Sequence, residues 1–146
     1  MKKSKSIKLT LTDWMKSLPK RVTPTYSLPY QYQIKHAGPE EFQVAGGGQE
    51  IWADGLRLTD GFLLECKFID QPDRSPFVAD SQIPDFIRQR IVTQVADEWY
   101  RYAAVINDSQ TPVMGLEVIT NEPRAVPFFQ DLLDRYGMNG RVVVLK

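Results

Sequence analysis

The alternation of apolar and polar positions sharpens from Glu41 onward. EFQV (42–44 with its leading Glu41) reads as a short strand, followed by a Gly46-Gly47-Gly48 turn. Two apolar-rich runs, EIWADGLRL and GFLLECKFI, are then separated by Thr59 and Asp60, and Asp-Gly between such runs is a strong hairpin signal. QPDRSP is a loop, with Asp80 and Ser81 leading towards a helix. From Pro84 to about Asn107 the pattern changes period. Ile87, Ile91, Val95, Trp99, Tyr102 and Ile106 recur at steps of four, four, four, three and four, which gives one apolar helical face. PVMGLEVIT is a buried-strand pattern, Pro123 to Tyr136 a second helix stopped at Gly137, and RVVVL a closing strand.

The first thirty residues read differently. They are basic and dotted with proline; Thr12 caps a short helix through DWMKSL that ends at Pro19, and Thr23 to Pro29 is irregular. This divides the chain into an N-terminal arm or linker at 1–29 and a domain at 30–146. The predicted order is a short helical start, three strands, helix, strand, helix, strand. That is an α/β (α+β) domain with a mixed central sheet flanked by helices.

Three polar residues interrupt this apolar frame. With Asp60 and Gly61 as the central turn residues, Thr59 faces Phe62, Leu56 lies opposite Glu65, and Asp54 lies opposite Lys67. Residues two apart on a strand share a face, so Asp54, Glu65 and Lys67 project together and Cys66 points away. Glu65 and Lys67 are then about 7 Å apart, and Asp54 is a diagonal neighbour of Glu65 at roughly 7–8 Å. Two carboxylates at that spacing can converge on one hard cation. Phe62, Leu64 and Phe68 line one face of the strand, and Leu63 and Ile69 flank the charges on the other. Charges in a strand apolar on both faces cost several kcal/mol in desolvation unless they are paired or bind a metal. A bland alternative is a cross-strand Asp54–Lys67 ion pair on a half-exposed hairpin.

Composition narrows the chemistry. With one cysteine and one histidine among 146 residues, the chain cannot build an internal disulfide framework and lacks the ligands of a structural zinc site, so any metal is expected to be a hard cation held by oxygen. The net charge of zero supplies no global attraction to phosphate, so a local basic patch would have to provide it. No apolar run is long enough to cross a bilayer, and the charged start lacks the apolar stretch of a signal peptide.

WADG followed by a short hairpin and LLECK resembles the Asp…Glu-x-Lys core of PD-(D/E)XK nucleases. The longer run YQYQIKHAGPEEFQV…WADG…LLECKFID…RSPF is similar to restriction-endonuclease-fold toxin domains of bacterial polymorphic toxin and effector systems. The proline that often precedes the Asp is replaced by Ala53. The resemblance implies a restriction-endonuclease-like core and a Mg²⁺ (or Mn²⁺) ion held by Asp54, Glu65 and the Cys66 carbonyl. Lys67 would orient the attacking water. It also implies a nucleic acid substrate, with DNA ahead of RNA, delivery into a target cell, and a cognate immunity protein. Two rivals stay open: an RNase or repair-type nuclease on the same fold, and a catalytically silent binding module.

Secondary candidates surround this core. On the long helix, Arg90, Gln94 and Arg101 form a polar stripe, with Gln94 a candidate for positioning and Arg90 and Arg101 for phosphate contact. Glu98, between them, could pair with Gln94 or Arg101. In the resembling toxins a Gln stands near the site, which nominates Gln33. Glu40, Glu41 and Glu50 are reserve carboxylates. His36 reads as incidental, and Trp99, Tyr100 and Tyr102 as core packing at helical spacing. Lys2, Lys3, Lys5, Lys8, Lys16, Lys20 and Arg21 form a basic run that fits a backbone-tracking arm or a solvated tail equally.

Overall fold

The computed structural model describes residues 8–146, with side chains from residue 11 onward. Helix α1 (Lys8–Ser17) and strand β1 (Lys20–Val22) come first, then α2 (Leu28–Ala37). Strands β2 (Glu40–Gly46), β3 (Gln49–Ala53), β4 (Gly55–Arg57) and β5 (Phe62–Lys67) lead into the long helix α3 (Asp85–Asn107). The chain closes with β6 (Gly115–Thr120), α4 (Val126–Arg135) and β7 (Gly140–Val144). Single-turn 3₁₀ segments lie at Pro72–Arg74 and Pro123–Ala125. Of the basic run, Lys2, Lys3 and Lys5 lie outside the described residues, as does the Lys8 side chain.

The strands form two sheets. One is antiparallel in the order β1-β2-β3; the other is mixed in the order β4-β5-β6-β7, with β4 antiparallel to β5 and the rest parallel. The run EIWADGLRL is therefore two strands, broken at Asp54, where the chain passes from one sheet to the other. Helix α3 crosses both sheets on one side and α4 packs beside it against β7, while α2 covers the opposite face of β5. The main core lies between the sheets and α3 and α4, built on Trp99, Tyr102, Phe129, Leu63 and Leu116. A smaller cluster of Tyr32, Leu64 and Ile119 seals α2 onto the sheet.

Residues 8–29, read above as an arm with a short helix, contribute to this body. The helix reaches back to Lys8 rather than starting at Thr12, and Leu11 is buried in the main core with Trp14 and Met15 packed against it. β1 pairs with β2, with Arg21 opposite Glu41. Helix α2 was not anticipated. Its apolar positions have no clear period, yet Ser27 caps it by accepting from the Tyr30 amide at 3.3 Å, and a proline fills its first turn.

Both hairpins are set by turn chemistry. Gly46 pairs with Gln49, so Gly47 and Gly48 are the turn residues, and their φ values of 56° and 77° are what a two-residue type I′ turn requires. The β4–β5 turn departs from expectation. Arg57 faces Phe62, Leu56 faces Leu63 and Gly55 faces Leu64, which is two residues from the predicted register. A two-residue turn would force Asp60 to positive φ. Instead only Gly61 takes it (φ 76°), and residues 58–61 form a longer loop closed by the Gly61 amide on the Arg57 carbonyl at 2.9 Å. A slip of two keeps every side chain on its expected face, whereas a slip of one would have reversed them all.

An ionic cluster sits in the otherwise apolar β6. Glu117, 6% exposed, accepts from Arg57 at 2.9 and 3.1 Å and from Arg141 at 2.7 Å, and Asp60 joins both arginines. The Arg57 hydrogen bonds, then those of Arg141, hold the Glu117 carboxyl below its ordinary 4.5 despite burial. A carboxylate depressed in the folded state stabilises above its unfolded value and loses that contribution as pH falls through the folded one. Glu117→Gln is therefore expected to lower stability by about 1.5–3 kcal/mol at neutral pH. Thermal melts of both proteins should converge below the ordinary value of 4.5; a gap constant down to acid pH would contradict this role.

Candidate active site

Asp54 lies one step beyond the end of two ladders. Phe42 pairs with Ala53, so the next pair sets Glu41 beside Asp54; Gly55 pairs with Leu64, so the next pair on that side sets Glu65 beside Asp54. The Asp54 carboxylate accepts from the Cys66 amide at 2.8 Å, which ties the bend between the sheets to β5. Glu65 is 6% exposed, with Oε1 accepting from the Tyr102 hydroxyl at 2.5 Å and Oε2 3.1 Å from Lys67 Nζ. Lys67 Nζ also meets Glu98 Oε1 at 2.9 Å and lies 5.7 Å from the centroid of the Trp99 ring. Asp54, Glu65 and Lys67 are thus gathered as the sequence predicts, and Cys66 turns its side chain to the other face, against the Tyr32 cluster. The Asp54–Lys67 ion pair of the alternative reading does not form; Lys67 pairs with Glu65 and Glu98.

The electrostatics follow from burial. Burial first, and the neighbouring Glu65 charge second, push the Asp54 carboxyl well above its ordinary 3.8. Glu65 is raised as well, burial outweighing the relief from Lys67. Burial works against the Lys67 ammonium, yet Glu65 and Glu98 more than offset it and hold the proton on. Burial and the Glu65 charge raise the Tyr102 hydroxyl strongly, so it stays protonated and donates. Two carboxylates crowded in this way are a donor set that a divalent cation would relieve, with the remaining positions left to water as Mg²⁺ prefers. Among the described residues no group of three or more His, Cys, Asp or Glu side chains gathers as a metal cage. Asp54 and Glu65 fit a hard cation bound by a pair of carboxylates plus backbone and solvent oxygen.

The secondary candidates divide. Gln94 is exposed and lines a groove of about 670 Å³ together with Lys67, Ile91, Glu98 and Arg101. Arg101 reaches that groove, but its guanidinium is held by Asp97 at 3.0 Å and by the Glu50 carbonyl at 3.2 Å. Arg90 is exposed and does not line it. Gln33 is buried and donates to Glu41 Oε2 at 2.6 Å, while Arg21 meets Glu41 Oε1 at 2.6 Å. Glu41, a reserve carboxylate in the sequence, is therefore a buried member of the row, whereas Glu40 and Glu50 are exposed. His36 contacts the carbonyl of Lys146, away from these groups.

Glu98 and Tyr102 are the residues whose roles the sequence obscured. Gln94, Glu98 and Tyr102 stand at steps of four along α3, one stripe facing Glu65 and Lys67. The spacing was visible, but Tyr102 also belongs to the apolar face, and only its hydroxyl distinguishes it from core.

Two sheets flanked by helices, one of them mixed, make this an α+β domain of restriction-endonuclease fold. The family model described as restriction endonuclease fold toxin 2 matches residues 29–139, and the chain belongs to that family. Membership identifies it as a toxin domain on a nuclease fold. Among curated proteins, none matches the chain. No helix of the described residues is long and apolar enough to cross a membrane.

Proposed function

We propose that this domain is a divalent-metal-dependent endonuclease that cuts DNA and acts as an antibacterial effector, neutralised in its producer by an immunity protein. The observation that carries the reading is the pairing of half-buried Asp54 with buried Glu65 beside the Lys67 ammonium, on a chain of the toxin family. Asp54, Glu65 and the Cys66 carbonyl would hold Mg²⁺ or Mn²⁺. A strand residue's N–H and C=O point to the same edge, and the Cys66 N–H already points at Asp54. When bound, the metal supplies Lewis-acid polarisation of a phosphate oxygen and a more acidic water.

The chain's own residues do the rest. Lys67, held by Glu65 and Glu98, presents a fixed cation to charge building on the phosphate. Gln94, on the groove beside it, orients the substrate. Arg90, exposed on α3, contributes positive charge that the net-neutral chain needs locally; Arg101, paired with Asp97, would reach phosphate only by exchanging that partner, and Gln33 acts through Glu41. Delivery into the target cell and inhibition by an immunity protein rest on the family alone.

Purified domain should nick plasmid with Mg²⁺ and not with EDTA. A folded domain that leaves plasmid intact but degrades RNA would move the substrate to RNA, and one that cuts neither would favour the silent module.

Tyr102→Phe tests the support of Glu65. Without the hydroxyl, Glu65 loses a hydrogen bond that favours its charged form, so divalent-metal affinity is expected to fall roughly 10- to 100-fold. Calorimetric titration with Mn²⁺ reads this directly; unchanged affinity would remove Tyr102 from the site's machinery.

A further inference from the structure

Four side chains, Arg21 on β1, Trp52 on β3, Tyr26 in the connection that follows β1 and Tyr30 in the first turn of α2, have no part in the core. Tyr26 is 80% exposed, and its ring meets that of Tyr30 edge-on, with centroids 5.4 Å apart. The Arg21 guanidinium lies 4.2 Å over the Trp52 ring, and the Arg21 side chain is 54% exposed, so this stack meets solvent. Arg21 is not a loose cation. Its ladder partner is Glu41, whose carboxylate fixes it at 2.6 Å, so the planar group is held in place before any ligand arrives.

The position of these groups matters as much as their exposure. Glu41 is one ladder step from Asp54, so Arg21, Glu41 and Asp54 form a row across the sheet. Tyr30 stands one turn before Gln33, whose side chain bonds Glu41. The Tyr30 hydroxyl also senses the Glu41 and Arg21 charges. Because Arg21 is already neutralised by Glu41, this surface offers flat π faces rather than net positive charge. Planar faces that carry little net charge recognise nucleobases by stacking and do not track phosphates. Bases inside a closed duplex have both faces occupied and cannot use such a surface.

We infer that Tyr26, Tyr30 and the Arg21–Trp52 stack form a platform for an unpaired nucleobase next to the phosphate to be cut, so that single-stranded or locally opened nucleic acid is the preferred substrate. The inference rests on the nuclease reading for its second half, and on the surface alone for its first.

Binding in EDTA separates the two. Fluorescence anisotropy of labelled oligonucleotides, as single-stranded DNA, single-stranded RNA and DNA duplex, should give tighter binding of a single strand than of duplex. The stronger of the two single strands identifies the sugar. Tyr26→Ala, at an exposed position, should weaken single-strand binding about tenfold and leave duplex binding and the melting temperature unchanged; Tyr26→Trp should restore it. Equal binding of single strand and duplex by the wild type, or single-strand binding unaffected by Tyr26→Ala, would overturn the platform. Single-stranded DNA, single-stranded RNA and plasmid that all remain uncut with Mg²⁺ while Tyr26-dependent binding persists would leave the platform standing and remove the nuclease reading.

Discussion

Lys67→Ala is expected to reduce Mg²⁺-dependent plasmid cleavage by roughly 10²–10³-fold, the loss typical when a preorganised charge-stabilising donor is removed. The size follows from its setting. The ammonium is largely buried, held by carboxylates at 3.1 and 2.9 Å, and needs no rearrangement to meet a developing negative charge. Truncation leaves Glu65 beside Glu98 without a cation between them, a compensation that a bound divalent metal would take over. The comparison with Glu65→Gln sharpens the assignment. Both variants should lose cleavage, but only Glu65→Gln should lose metal binding in a calorimetric titration. Asp54→Asn, which removes a desolvated charge, should melt in EDTA no lower than the wild type while cutting nothing. A folded Lys67→Ala protein that cuts at the wild-type rate would refute the role given to this residue.

Trp99→Ala should have the largest effect on stability, about 3–5 kcal/mol. Trp99 is fully buried at the meeting of α3, α4 and the second sheet, stacked on Phe129 with ring centroids 5.8 Å apart and edge-on to Tyr102 at 6.3 Å. Its indole N–H has no hydrogen-bond partner among the described residues, so truncation forfeits packing alone. For a domain of this size that corresponds to a fall of roughly 10–20 °C in melting temperature. The loss should also reach the site, because the ring lies beneath Lys67 and beside the tyrosine that orients Glu65. Denaturant melts check the magnitude, and a loss below about 1 kcal/mol would mean that the cavity closes by repacking.

The parts of the fold that could be read from the chain were those with a clear period. The α3 face from Val95 to Ile106 is buried as its spacing predicts, and β6 and β7 fall where PVMGLEVIT and RVVVL place them. Helix α2 escaped because it buries two unlike surfaces: Tyr32 against an apolar cluster and Gln33 against a carboxylate, so no single apolar stripe marks it. β1 is three exposed residues held by ladder pairing and by the cationic side chains of Lys20 and Arg21, which leaves no hydrophobic stripe to read. At the site, Asp54, Glu65 and Lys67 were legible because face parity survives a two-residue error in register. Glu41, Glu98 and Tyr102 were not, since their roles depend on how elements distant in sequence pack together. Tyr102 shows the general reason: one hydroxyl on a core residue carries the function, and periodicity registers only the ring.

The break at Asp54 has a consequence for how such a chain can change length. A single residue joins β3 to β4, and it is itself a candidate ligand. Adding or removing one residue there would rotate one strand by a face relative to the other, bringing apolar side chains to solvent and carrying the carboxylate away from Glu65. Gly55 tightens the constraint, since a Cβ at that position would lie 2.6 Å from the Ala37 carbonyl oxygen. The loop at 58–61 is tied at Asp60 and Gly61, but Leu58 and Thr59 at its tip are exposed and carry neither a ligand nor a joint between sheets. Length variation in related chains should therefore gather in that loop and be absent from the joint between the sheets.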